Sequence, residues 1–236
     1  MKRATKPLQI EFICEDPSLS YFDPPIAADK VLPEWYKKIP SYTGPKTFTA
    51  NGANGTVKKC MPVFDVMTSG YLITLPCDVL VELDAVGLPN FTWPIEWKLV
   101  TEHDVAQVST MTIPTEFHPR VFKWSNAWIV KTPEGWSSLF ISPAHRDDLP
   151  FEILSGVVDT DGFELSIQFP FMIKKGFSGV IKKGTPIAQI IPIKRNEWES
   201  SVSVLPEGQR TKNLQKHSRT FENRYKKTFW NKKDYR

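Results

Sequence analysis

Two aspartates, Asp159 and Asp161, flank Thr160 directly after the apolar run Ser155-Gly156-Val157-Val158, and Asp161-Gly162 marks a turn. Carboxylates this close raise one another's pKa and can hold a cation or divide acid and base roles, so Asp159 and Asp161 are the candidate catalytic pair. A second polar group, His145-Arg146-Asp147-Asp148, stands ten residues upstream. We expect His145, Arg146 and Asp148 to share a binding site with Asp159, set against the plainer reading of a solvated loop in which Arg146 pairs with Asp148. Cys14, Cys60 and Cys77 are odd in number and widely spaced, and the four histidines also lie far apart. Neither set forms a disulfide framework or a local zinc signature, so no metal and no cofactor is expected. Gly-x-Ser-x-Gly, phosphate-loop, dinucleotide and His-Glu-x-x-His patterns are all missing, which removes support for serine hydrolase, ATPase, Rossmann and metalloprotease chemistry.

The elements that must position these residues are mainly strands. Twenty prolines, eight tryptophans and 12% aromatic residues in 236 favour strands and proline-punctuated loops. Strands are expected over 8–14, 71–83 with a bend or an edge position at Pro76, 91–100, 106–113 and 121–131. From Trp136 onward, strands at 138–142, 153–158, 163–173, 177–181 and 186–193 are separated by Asp161-Gly162, Lys175-Gly176 and Lys183-Gly184, the spacing of a barrel or sandwich. Trp35 and Tyr36 should plug the body, and Trp93, Trp97, Trp124 and Trp128 should pack its sheets. Apolar period turns helical at only two places, near 57–69 and 211–231. The expectation is one β-rich domain over 1–206 and a basic tail over 207–236. No apolar run is long enough for a transmembrane helix, and the first residues lack the apolar core of a secretion signal, so a soluble protein is expected.

Charge is unevenly placed. Residues 207–236 carry ten Lys or Arg against three acids, a net +7, while the remaining 206 residues carry −3. Such a tail suits an anionic partner, whether nucleic acid, a membrane face or an acidic patch of its own oligomer. Its expected contacts are Arg219, Arg224, Lys226, Lys227, Phe229 and Trp230, because cations hold phosphates while rings stack on bases. As a docking helix, the same tail would bury Leu214, Phe221, Tyr225 and Phe229 along one stripe, against the protein's own body or a neighbouring subunit.

The stretch Gly156-Val157-Val158-Asp159-Thr160-Asp161, followed by Gly184-Thr185-Pro186-Ile187-Ala188-Gln189-Ile190, resembles the Gly-Val-Ile-Asp-x-Asp-Tyr motif and the following Gly-x-x-Ile-Ala-Gln-Leu strand of dUTP pyrophosphatases and dCTP deaminases. The likeness covers residues 136–194 and implies a β-clip core. It would make Asp159 the water-activating carboxylate, put Phe163 or Gly162 near a sugar, and place Gln189 on the closing strand, with Mg²⁺ and a trimer if the enzyme reading holds. The glycine-rich C-terminal motif of those enzymes is replaced here by the basic tail. A second resemblance, through Leu32-Pro33-Glu34-Trp35-Tyr36, Cys60-Met61-Pro62-Val63-Phe64-Asp65, Leu75-Pro76-Cys77-Asp78 and 136–161, is to a family of uncharacterised tailed-bacteriophage proteins. It implies an infected bacterial cytoplasm or a virion. The leading expectation is a phage-encoded, non-enzymatic β-clip protein that forms a homo-oligomer or binds a partner. Alternatives are a deoxynucleoside triphosphate hydrolase or deaminase and a nucleic-acid binder acting through the tail.

Overall fold

The computed structural model describes residues 8–19, 22–49, 52–218 and 224–236. Its first strands are β1 (Glu11–Cys14), β2 (Ile26–Ala27), β3 (Phe48–Thr49), β4 (Gly52–Ala53), β5 (Tyr71–Thr74), β6 (Val79–Leu83), β7 (Pro89–Thr92) and β8 (Val100–Glu102). They are followed by β9 (Phe117–Trp124), β10 (Trp128–Lys131), β11 (Trp136–Ile141), β12 (Phe151–Ile153), β13 (Gly156–Val158), β14 (Phe169–Lys174), β15 (Gly179–Ile181) and β16 (Pro186–Lys194). Among the described residues, short helices intervene or follow: α1 (Glu34–Lys38), α2 (Met61–Thr68), α3 (Val105–Val108), α4 (Gln209–Ser218) and α5 (Arg224–Thr228). The protein is mainly β, as its composition implies.

All strand pairs are antiparallel and fall into sheets ordered β13-β11-β16-β5-β2, β12-β14-β9-β8, β15-β6-β7, β1-β10 and β3-β4. No closed barrel forms among the described residues. The three larger sheets face one core, to which they contribute Phe140 and Ile190, Trp124 and Phe171, and Val79 and Val81. At its centre the Trp124 indole stacks on Phe171 with ring centroids 4.3 Å apart, and Phe151 and Phe91 meet Phe171 edge-on.

Several expected elements are divided or replaced, each for a local reason. Residues 71–83 form two strands in two different sheets, because Pro76 has no N–H to offer a continuous ladder. The expected strand over 106–113 is instead the single turn α3, started by the Asp104 carboxylate accepting from the Ala106 N–H at 2.8 Å. In place of one strand over 91–100 there are β7 and β8, joined by a loop in which the Trp93 indole donates to the Trp97 carbonyl at 2.8 Å. Residues 121–131 are the end of β9 and all of β10, turned by Asn126, and the strand expected from 163 begins only at Phe169. The helix near 57–69 becomes a 3-10 turn over Val57–Lys59 and then α2, with Pro62 in its first turn. Tyr36 is buried as expected, whereas Trp35 stays partly exposed. Of the expected tail helix the described parts are α4 and α5, and residues 219–223, Arg219 and Phe221 included, lie outside the described set.

One close approach fixes how α2 and β5 meet the central strand. Gly70 has φ +73°, and a Cβ placed there would lie 1.8 Å from the Ile190 carbonyl oxygen of β16. Glycine supplies both the left-handed backbone and the missing atom. Gly70→Ala should therefore lower stability by roughly 3 kcal/mol or more, combining left-handed strain with overpacking against backbone. Gly87→Ala, at φ +82° with no atom within 4 Å, should lose only about 1–2 kcal/mol. Urea midpoints of the two variants check the difference.

Candidate functional site

The expected site divides into two places at opposite ends of β11. Ser137, near one end, touches Asp159, and Ser142, just past the other, leads into the 143–148 loop. Ser137 and Ser142 are five steps apart along an extended backbone, about 16 Å. Asp159 therefore does not lie beside His145–Asp148, and the shared site is corrected to two separate polar groups.

At the first end, the β11–β16 pairing sets Trp136 opposite Lys194, which brings Arg195 over the turn after β13. The Arg195 guanidinium pairs with Asp161 through both of its terminal nitrogens, lies 3.1 Å from Asp159 Oδ1, and donates to Ser137 Oγ at 3.2 Å. Ser137 in turn donates to Asp159 at 2.6 Å, and the Gly135 N–H donates to Asp161 at 2.9 Å. Beneath this clasp, Thr132 donates to the Trp136 carbonyl, so the buried Thr160 hydroxyl donates to Thr132 and accepts from Ser138. Asp161 is mostly covered while Asp159 is mostly open to solvent. Hydrogen bonds from Arg195 and then from Gly135 pull the Asp161 carboxyl from 3.8 to about 2.

A magnesium ion does not fit this arrangement, because a fixed guanidinium already occupies the space between the two carboxylates. Among the described residues, no three His, Cys, Asp or Glu side chains converge as metal ligands. Phe163 stands a short way along the chain, partly exposed, in a shallow depression of about 100 Å³ shared with Ile13 and Ile129.

At the second end, Arg146 is held in a bidentate pair by Asp148, at 2.8 and 2.7 Å, and this hydrogen bonding lowers the Asp148 pKa. That is the pairing the plainer reading expected. His145 has φ +57°, the only positive φ outside glycine among the described residues, and its carbonyl accepts from the Trp35 indole at 2.9 Å. With Ser142, Phe117, Phe151 and Lys174 the loop borders a cavity of about 260 Å³. Gln189 is fully buried and saturated. Its amide donates to the Val66 and Ser69 carbonyls at 2.8 and 2.7 Å, and its oxygen accepts from the Ala144 N–H at 3.0 Å. It binds the protein's own backbone.

The tail attaches to the body, and among the described stripe residues none is buried against it. Leu214, Tyr225 and Phe229 remain about half exposed, because the attachment lies further along. The Trp230 indole donates to both Asp65 oxygens at 2.8 and 3.0 Å, and Lys233 pairs with the same carboxylate. Tyr71 donates to the Arg236 carbonyl at 3.2 Å and meets the Tyr235 ring edge-on. Lys226 lies 5.8 Å from the Trp230 ring centroid, Lys227 is exposed, and α5 begins at Arg224. The sequence reading missed Arg195, Ser137, Asp65 and Tyr71. Arg195 carried one usable signal, its place just past a strand that must pair beside the Asp159 motif.

No protein-family model matches the chain, and no match is found among curated proteins.

Two outcomes test this geometry. The depressed Asp161 carboxyl contributes stability that is fully present above 3.8 and is lost as pH falls toward about 2. Wild type should thus lose urea stability between about pH 4 and pH 2 more steeply than Asp161→Asn, measured as midpoint against pH. Gln189→Leu leaves two carbonyls and one N–H without their partner and should cost roughly 2–4 kcal/mol in the same assay.

Proposed function

We propose that this chain is a phage-encoded, non-catalytic β-clip-like protein that works by binding other copies of itself or a protein partner. The observation that carries the reading is the apolar surface left open beyond the body. Trp198, Val202 and Val204 are 86%, 99% and 91% exposed, while the body covers Trp124, Phe169 and Phe171 almost completely. Apolar side chains this open and this close together are characteristic of surfaces that another chain covers.

The β-clip part of the reading is supported by the adjacency of β11, β13 and β16, the strands that carry the resembling motifs. The non-catalytic part is supported by the occupied state of the motif residues. Asp159 and Asp161 serve as counter-ions to Arg195, and Gln189 is spent on backbone groups. Nucleic-acid stacking by the tail is disfavoured, since Trp230 and Tyr235 already contact the body.

Purified protein should scatter light as a multiple of 27.0 kDa, or capture a protein partner, and should leave a panel of deoxynucleoside triphosphates with Mg²⁺ unchanged relative to a protein-free control. Turnover that disappears in Asp159→Asn would overturn the reading in favour of the hydrolase or deaminase. Salt-sensitive DNA binding by a monomer would favour the nucleic-acid reading instead.

A further inference from the structure

Resting on the self-association reading above, we propose that residues 196–205 form an exchanged arm, adding as a β-strand to the free edge of β13 in a second copy of this chain, and that the exchange is reciprocal.

The arm has the composition of a strand without a sheet. In Trp198-Glu199-Ser200-Ser201-Val202-Ser203-Val204, an extended backbone sets Trp198, Val202 and Val204 on one face with Ser200, and Glu199, Ser201 and Ser203 on the other, the face on which Leu205 follows. Residues 196–205 have no regular secondary structure and make no backbone hydrogen bond to another described segment. A strand pattern with three almost fully exposed apolar side chains leaves both its ladder and its apolar face to be completed from outside.

The edge that suits it is also on the chain. β13 ends the five-stranded sheet, with β11 on one side and no described strand on the other. Edge strands are ordinarily protected by a charge or a proline. Gly156-Val157-Val158 has neither. The register places Val157 beside Leu139 and Leu139 beside Ile191, so these three share the outer face of the sheet, and Val157 is 58% exposed. A strand added along β13 with Val202 and Val204 on that face would extend the row and cover Val157.

The root of the arm explains why the partner is another copy. Arg195 is pinned to Asp161 and Asp159, and its N–H donates to the Gly135 carbonyl, so the arm leaves the body beside the residues that follow β13. Two copies facing each other across a two-fold axis with their β13 edges apposed would each have an arm starting next to the other's edge. Ten residues reach about 33 Å when extended. The arm together with a comparable acceptor surface gives about 20 residues a side, the lower end of a standard interface. The geometry also gives Asp159 and Asp161 a role: they hold the arm at its exit.

The test uses the full chain with Val202→Asp and Val204→Asp together, and separately Val157→Lys. All three positions are exposed, so circular dichroism and the thermal transition of each variant body should match a folded protein. Wild type is expected to have twice the mass of one 27.0 kDa chain, both variants the mass of one, and amide exchange at 156–158 should be slower in wild type than in the arm variant. If wild type is oligomeric and both variants keep its mass, or exchange at 156–158 is the same in all, the arm proposal fails while self-association stands. A trimer that the variants dissolve overturns the reciprocal two-fold form. A wild type that is monomeric at every concentration overturns the arm proposal and self-association together.

Discussion

The structure turns on adjacent residues of β16 that bind other segments through backbone chemistry. Gln189 sends its amide to α2 and its oxygen to the loop after β11, while the Ile190 carbonyl leaves room for nothing larger than Gly70. A buried amide is costly when unsatisfied and strongly localising when every group is paired. Here all three backbone partners come from segments that the chain visits far apart, near 66–69 and 144. β16 is thereby held between β5 and β11 with one register, and every other feature of that sheet inherits its position from it.

Electrostatics follows the same frame. The β11–β16 register carries Arg195 over Asp159 and Asp161, and the position of α2 offers Asp65 to Trp230 and Lys233. The acidic body also holds the basic tail at that mostly covered carboxylate, which accepts an indole and an ammonium together. Carboxylates that resemble catalytic ones in sequence are here neutralised by cations supplied from much later in the chain.

What the sequence made legible was whatever local spacing dictates. From 136 to 194 the pattern of short strands was legible because apolar alternation and the Asp161-Gly162, Lys175-Gly176 and Lys183-Gly184 turns agree with one another, but the strand expected over 153–158 is two, β12 and β13, in different sheets, and the one expected from 163 begins only at Phe169. Residues 106–113 read wrongly because the cap at Asp104 outweighed their alternation, and 71–83 because Pro76 separated two strands rather than bending one. Asp159, Asp161 and Trp230 were recognisable as polar or aromatic features, but their partners were not. Arg195 is 34 residues from Asp161, Asp65 is 165 from Trp230, and only strand register and helix placement join them. The separation of Asp159 from the 145–148 loop was hidden for the same reason, since nearness in sequence says nothing about which end of β11 each one occupies.

The strand order also has a consequence in time. β16 lies in the middle of its sheet although it is the last of the five to appear in the chain, and Tyr71 must wait more than a hundred residues for Ile190 to pair with it. The sheet therefore cannot zip up from one side as polypeptide emerges from a ribosome. β5 and β11 stay unjoined until the final insertion completes both ladders at once, a topology of high contact order that makes folding slow and leaves nascent strand edges open to chaperones.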